Sequence, residues 1–205
     1  MHEQENRDSS FLQRLRTRKN VAFSRNYAET VAPEAYEQLV MQGGRQILAK
    51  RIHDMFVAHL ASQAPPTPIL DIAAGTGIIS RELAKSYQVT AMDLSEPGLT
   101  YLNQRNSEVQ TVPGDMNDSL PFPDGSFDGV TTVWGNRFIT DTDHFLHEVS
   151  RVLRPGGVFI WPIFPREGIS WKLQSGLRQH TQTSLSKRRF AKWFSNRDHR
   201  LQTFL

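Results

Sequence analysis

The spacing of apolar residues changes period along this chain, and each change marks an element. From 21 to 61 the apolar positions recur at three and four. They run through Tyr36, Leu39, Val40 and Ile47, then Ile52, Met55, Phe56, Val57 and Leu60. That period predicts amphipathic helices. Pro33-Glu34 suits a first turn, and Gly43-Gly44 separates two helices. The proline-rich stretch 64–68 is a stiff lead into Ile69–Ile72, a short apolar run of the buried parallel-strand kind. From Ile78 a helical face returns, with Ile79, Leu83 and Ala84 inward and Ser80, Arg81 and Lys85 elsewhere. A second strand spans Val89–Asp93, a helix lies near Pro97–Arg105, and Val109–Val112 and Gly129–Val133 read as further strands. The next helix runs to Leu153, with Phe145, Leu146, Val149, Val152 and Leu153 inward. Arg154-Pro155-Gly156-Gly157 ends it before a fifth strand at Val158–Trp161. Strands alternating with helices predict an α/β fold with a doubly wound, mostly parallel sheet.

The two ends break this rhythm. Residues 1–20 are polar and basic and read as a flexible tail. Residues 21–165 form the core with its preceding helices. Residues 166–205 read as a basic, helical segment of the same domain. From Arg166 onward there are nine Lys/Arg against two acids, although the whole chain carries only +3. Lys187, Arg188, Arg189 and Lys192 alternate with Phe190, Trp193 and Phe194, the pattern of a basic amphipathic helix. Such a tail meets nucleic acid, an anionic surface or an acidic substrate, or simply forms a solvated face. Arg200–Leu205 supplies at most one more strand. The chain has no cysteine, which excludes disulfides, thiolate metal sites and a cysteine nucleophile. It shows no apolar run long enough for a bilayer and no signal-peptide core at its start, so a cytoplasmic location is expected.

Chemistry concentrates where strands end. Gly75 and Gly77 give a tight turn between a strand and a helix, a device that brings backbone N–H groups close to a bound anion. The dinucleotide pattern G-x-G-x-x-G is incomplete, because Ser80 takes the third position. Asp93 falls where a doubly wound fold returns to the neighbouring strand end, and a carboxylate there accepts from both ribose hydroxyls. Ser95, before Glu96-Pro97, is the better helix cap, which leaves Asp93 for a ligand. Trp134 closes the fourth strand and either stacks on an aromatic substrate or closes the core. His53 and His59 sit six apart, not at the four-residue spacing of two ligands on one helix face, and His144 and His147 lack a third ligand nearby, so no metal site is expected. His144 remains a candidate general base.

The motif D-I-A-A-G-T-G (Asp71–Gly77) resembles the first motif of class I S-adenosyl-L-methionine (SAM) methyltransferases. V-T-A-M-D-L-S, L-P-F-P-D-G-S-F-D, W-G-N-R-F-I-T-D and H-E-V-S-R-V-L-R-P-G-G-V-F follow in the family's order. The chain resembles the ubiquinone/menaquinone-biosynthesis C-methyltransferases, which tolerate alanine at the position of Ala73; Trp134 departs from their pattern. The resemblance covers about residues 20–165. It implies a Rossmann-like sheet with N-terminal lid helices, lid aromatics among Phe23, Tyr27 and Tyr36, and a C-terminal sheet edge shortened here. It also implies SAM or its demethylated product (SAH) as cofactor. Ala73, Gly75 and Gly77 would lie on the methionine portion, with Asp71 acting there indirectly. Asp93 would hold the ribose, Leu94 would flank the adenine, and Asp115 and Met116 would reach the ring. Val133 and Trp134 would lie beside the transferred methyl. The expected activity is in-line methyl transfer to a small, apolar or aromatic molecule, with Trp134, His144 and Tyr27 as catalytic candidates. Two other readings stand beside it. One is a non-catalytic SAM-binding subunit, in which a partner or second copy completes the sheet. The other is a nucleic-acid methyltransferase, disfavoured because no N-P-P-Y type motif follows the fourth strand.

Overall fold

A computed structural model describes residues 32–41, 45–162 and 200–202. Two helices come first, α1 (Pro33–Met41) and α2 (Arg45–Leu60). Then β1 (Pro68–Ile72), α3 (Ile78–Leu83), β2 (Gln88–Asp93), α4 (Glu96–Arg105) and β3 (Gln110–Pro113) alternate. After β4 (Phe127–Thr132) a 3-10 turn (Gly135–Phe138) leads to α5 (Thr142–Val152), β5 (Leu153–Ile160) and β6 (Arg200–Gln202). The sheet order is β3-β2-β1-β4-β5-β6, with every pairing parallel. This is the doubly wound arrangement, and its switch point lies between β1 and β4.

Each face of the sheet carries its own core. Phe145, Leu146, Val149 and Val152 of α5 pack on one face with Leu70, Ile72 and Phe159. On the other face Ile52 and Phe56 of α2, Leu83 of α3 and Leu102 of α4 meet Ile69, Ala91 and Val158. The buried stripe of α2 is Ala49, Ile52, Phe56 and Leu60. Ile47 and Val57 were expected on that stripe but are exposed. At about 100° per residue they rotate away from a stripe running through 49, 52 and 56.

Three other expectations shift. Ser80 is fully buried rather than turned outward, because Asp71 takes up its hydroxyl. The fourth strand begins at Phe127 and stops at Thr132, so Val133 lies one residue past its end. The Arg154–Gly157 segment belongs to β5 rather than only ending the helix. Leu153 pairs with Phe127, the register breaks, and pairing resumes at Val158 opposite Gly129. Gly156, at φ 79°, lets the extra residues loop out as a bulge. At the far edge one short parallel strand closes the described sheet, within the expected stretch 200–205. The proposed tail at 1–20 and the basic segment, apart from β6, lie outside the described residues. So do Phe23, Tyr27 and the Gly43-Gly44 break. No helix among the described residues is long and apolar enough to cross a membrane.

Candidate functional site

The carboxyl ends of four strands stand level. Ile72 of β1 is opposite both Met92 of β2 and Thr132 of β4, and Asp93 is opposite Pro113 of β3. The loops leaving these ends are tied to one another. Ala74 N donates to Met92 O (3.2 Å) and Gly114 N to Asp93 O (3.0 Å). Gly75 N donates to Asp93 Oδ2 (2.7 Å), and Ser95 N donates to Asp93 Oδ1 (2.7 Å). Ser95 caps α4 through Gly98 N, as its position suggested. Asp93 is nonetheless not free, since each oxygen already accepts at least one N–H. The remaining lone pairs are what a ligand would use. Burial pushes the Asp93 carboxyl up, opposed by N–H donors from Ser95, Gly75 and Leu94.

The turn after β1 is built on three left-handed residues at alternate positions. Ala73 (φ 60°), Gly75 (φ 57°) and Gly77 (φ 81°) all occupy the region that favours glycine. For Ala73 the conformation costs about 1 kcal/mol or more. The two glycines have different reasons. A Cβ at Gly75 would meet only Tyr36 Cε1, at 3.9 Å, so this backbone faces open space beneath α1. A Cβ at Gly77 would lie 2.3 Å from Leu102 Cδ1, so glycine there serves packing on α4. Of the expected lid aromatics, Tyr36 is the one among the described residues, and it covers the turn. The α1 helix is anchored by a Glu37–Arg81 ion pair to α3.

Asp71 sits beneath this turn, 1% exposed. Ser80 Oγ donates to its Oδ2 at 2.6 Å. Burial pushes its carboxyl up to about 7, with the Ser80 hydroxyl opposing and the negative charge of Asp93 adding. A buried acid held near neutrality is a poor structural choice and a common functional one.

On the other side of the cleft, Asp115 Oδ1 accepts from Asn117 N (3.0 Å) and Asn117 Nδ2 (2.8 Å). Asn117 also donates to Phe138 O and accepts from Thr140 N (2.7 Å), bracketing the β3 loop to the segment after β4. Leu94 is 36% exposed, an apolar side chain left beside Asp93. Met116 is buried, and its Cε would lie 3.2 Å from a Cβ at Gly135. The Val133 side chain packs into the core with α2 and α3, so only its backbone is available to a ligand. Trp134 also has positive φ (63°), and Arg45 stacks on its ring at 4.4 Å. His144 lies in the first turn of α5, and His147 is exposed beside Glu148. Among the described residues no three His, Asp or Glu side chains are grouped to hold a metal.

Among the described residues two buried hydroxyls have no partner, Thr76 Oγ1 in the glycine turn and Thr132 Oγ1 at the end of β4. Leaving such groups unpaired costs about 1–3 kcal/mol each. Their place around the level strand ends suits a polar ligand that satisfies them. With Asp93, the open backbone at Gly75 and exposed Leu94, the donor set fits a nucleoside carrying an amino-acid moiety. Thr76, Thr132, Ser80 and Asn117 were not singled out from the sequence. Thr and Ser inside an apolar pattern are the only local signal, and their partners come from distant segments.

The family described as a methyltransferase domain matches residues 70–161. The chain is 38% identical over 113 residues to a demethylmenaquinone methyltransferase of Thermus thermophilus, covering 52% of this chain and 51% of that protein. It is 37% identical over 98 residues to a fatty-acid O-methyltransferase of Mycolicibacterium smegmatis, covering 45% and 35%. The chain thus spans about half the length, or less, of these curated relatives. A crystal structure from Methanococcus maripaludis (mmp1179) shares the fold, with TM-score 0.53 at 18% identity over 87% of this chain and 83% of that one.

Proposed function

We propose, from the premise that residues 70–161 are a class I SAM-dependent methyltransferase domain, that this chain binds SAM and transfers its methyl group to a small molecule. The observation that carries the reading is the ring of ligand-ready groups at the level strand ends. It comprises Asp93, the Gly75 backbone, and the unpartnered Thr76 and Thr132 hydroxyls. When bound, the cofactor supplies an already activated methyl on a sulfonium centre.

The chain's own residues would then position and enclose. Asp93 accepts from the ribose hydroxyls with its remaining lone pairs. Leu94 covers one face of the adenine and Asp115 accepts from its amino group. Asp71 sets the charge beneath the methionine end. Tyr36 on α1 and Trp134 after β4 wall the cleft and exclude water. With no residue required to form a covalent bond, rate comes from in-line alignment at near-attack distance. The relatives act, by their names, on demethylmenaquinone and on fatty acids, so the acceptor is proposed to be a small, largely apolar molecule.

The test is transfer of labelled methyl from SAM to a panel of quinols, phenols and fatty acids, read as product and as SAH. Turnover that disappears in Asp93→Ala is the expected result. SAM binding without turnover on any acceptor would leave a binding protein and overturn the enzyme reading.

A further inference from the structure

Arg45 differs from the arginines that pair with acids; like Arg105, which lies over the Tyr101 ring at 3.5 Å, it lies over an aromatic ring, but at the level strand ends. Arg81 pairs with Glu37, Arg151 with Glu148 and Asp124, and Arg154 with Asp128. The Arg45 guanidinium has no acid partner among the described residues and lies instead over the Trp134 ring, 4.4 Å from its centroid. A guanidinium held over an aromatic ring keeps N–H donors available for a further partner. Its location is also costly. Arg45 opens the sixteen-residue helix α2, where the dipole disfavours a cation, and no acid occupies that first turn. Trp134, the platform, is itself held in a left-handed conformation two residues beyond β4. The next residue, Gly135, packs so closely against the cofactor turn that a Cβ would lie 3.0 Å from Ala73 Cβ. A strained aromatic residue just beyond β4 thus holds a half-buried cation without an acid partner among the described residues.

We propose that Arg45, oriented by Trp134, binds a carboxylate on the methyl acceptor. The planar fork pairs with a carboxylate through two parallel charge-assisted hydrogen bonds, an arrangement neither a neutral phenol nor an amide reproduces. The inference rests on the methyltransferase reading and narrows it from small apolar molecules to small organic acids.

The experiment uses the full chain saturated with SAH and two matched pairs, decanoate with decanamide and benzoate with benzamide. Calorimetry measures each affinity in wild type, Arg45→Gln and Arg45→Lys. At least one carboxylate should bind about tenfold or more tightly than its amide. Arg45→Gln should erase that preference with SAH affinity unchanged. Arg45→Lys, which keeps charge but loses the fork, should retain only a few-fold preference and decides the matter if the glutamine variant does not fold. Equal or undetectable binding of both members of each pair by SAH-loaded wild type overturns this inference alone. A preference that survives in Arg45→Gln also overturns it. Failure of folded wild type to bind SAH overturns the methyltransferase reading and this inference with it.

Discussion

Replacing Asp71 with asparagine should make the protein more stable at alkaline pH and worse at binding its cofactor. In the folded chain the carboxyl is pushed from an ordinary 3.8 to about 7, chiefly by burial. An acid whose folded pKa is raised contributes fully to stability below its unfolded pKa. That contribution is lost as pH rises through the folded value. Between pH 3.8 and about 7 the loss is worth about 4 kcal/mol, at about 1.4 kcal/mol per pH unit. Asparagine carries no such penalty and its oxygen still accepts from Ser80 Oγ. Its amide N–H group lacks an evident acceptor, which offsets the gain by about 1–2 kcal/mol. The net gain near pH 8 is therefore about 2 kcal/mol, and near pH 5 it vanishes or reverses. Thermal unfolding at both pH values reads this directly, at roughly 2–4 °C per kcal/mol for a chain of this size. SAM affinity, measured alongside, should fall. A variant that is no more stable near pH 8 than near pH 5, relative to wild type, would refute the account of Asp71 as a strained acid retained for binding.

Other outcomes follow from the same geometry. Glu148 is buried, accepts from Leu120 N at 2.8 Å and pairs with Arg151, which lowers its carboxyl to about 2; Arg151 in turn holds the carbonyls of Leu120 and Phe122. Glu148→Ala should therefore cost about 2–3 kcal/mol in urea unfolding, and the wild-type contribution, full above pH 4.5, should fade as pH drops toward about 2. Thr132→Val removes an unpartnered buried hydroxyl; it should gain about 1 kcal/mol of stability while SAM affinity drops roughly three- to tenfold, by calorimetry. Gly77→Ala should destabilise by about 3 kcal/mol through strain plus the Leu102 clash, and Gly75→Ala by only about 1–2 kcal/mol, so denaturation midpoints should rank them in that order.

What the sequence disclosed was local. The strand–turn–helix at 69–83, the Ser95 cap and the inward face of α5 all depend on neighbours within a few positions, and spacing exposes them. The doubly wound order follows from strand–helix alternation for the same reason. What stayed hidden was made by segments far apart in the chain. Asn117 looks like any loop asparagine until Phe138 and Thr140 arrive beside it. Ser80 looks like a residue off the apolar face of its helix until Asp71 accepts a hydrogen bond from its hydroxyl. Glu148 and Arg151 fall outside the predicted inward face of α5, yet they clamp the loop from Leu120 to Asp124. Arg45 on Trp134 joins residues 89 positions apart, a contact no periodicity encodes. The spacing placed Asp93 at the end of β2, but its engagement with Gly75 N–H was not legible.

The most direct test of the central claim is calorimetric titration of SAM and SAH into the purified chain, alongside an Asp93→Ala variant whose fold is checked by circular dichroism. The account predicts micromolar binding by wild type and a loss of about tenfold or more in the variant, since a carboxylate accepting from ribose hydroxyls contributes charge-assisted hydrogen bonds. No binding by a folded wild-type chain, or equal affinity in Asp93→Ala, would contradict it.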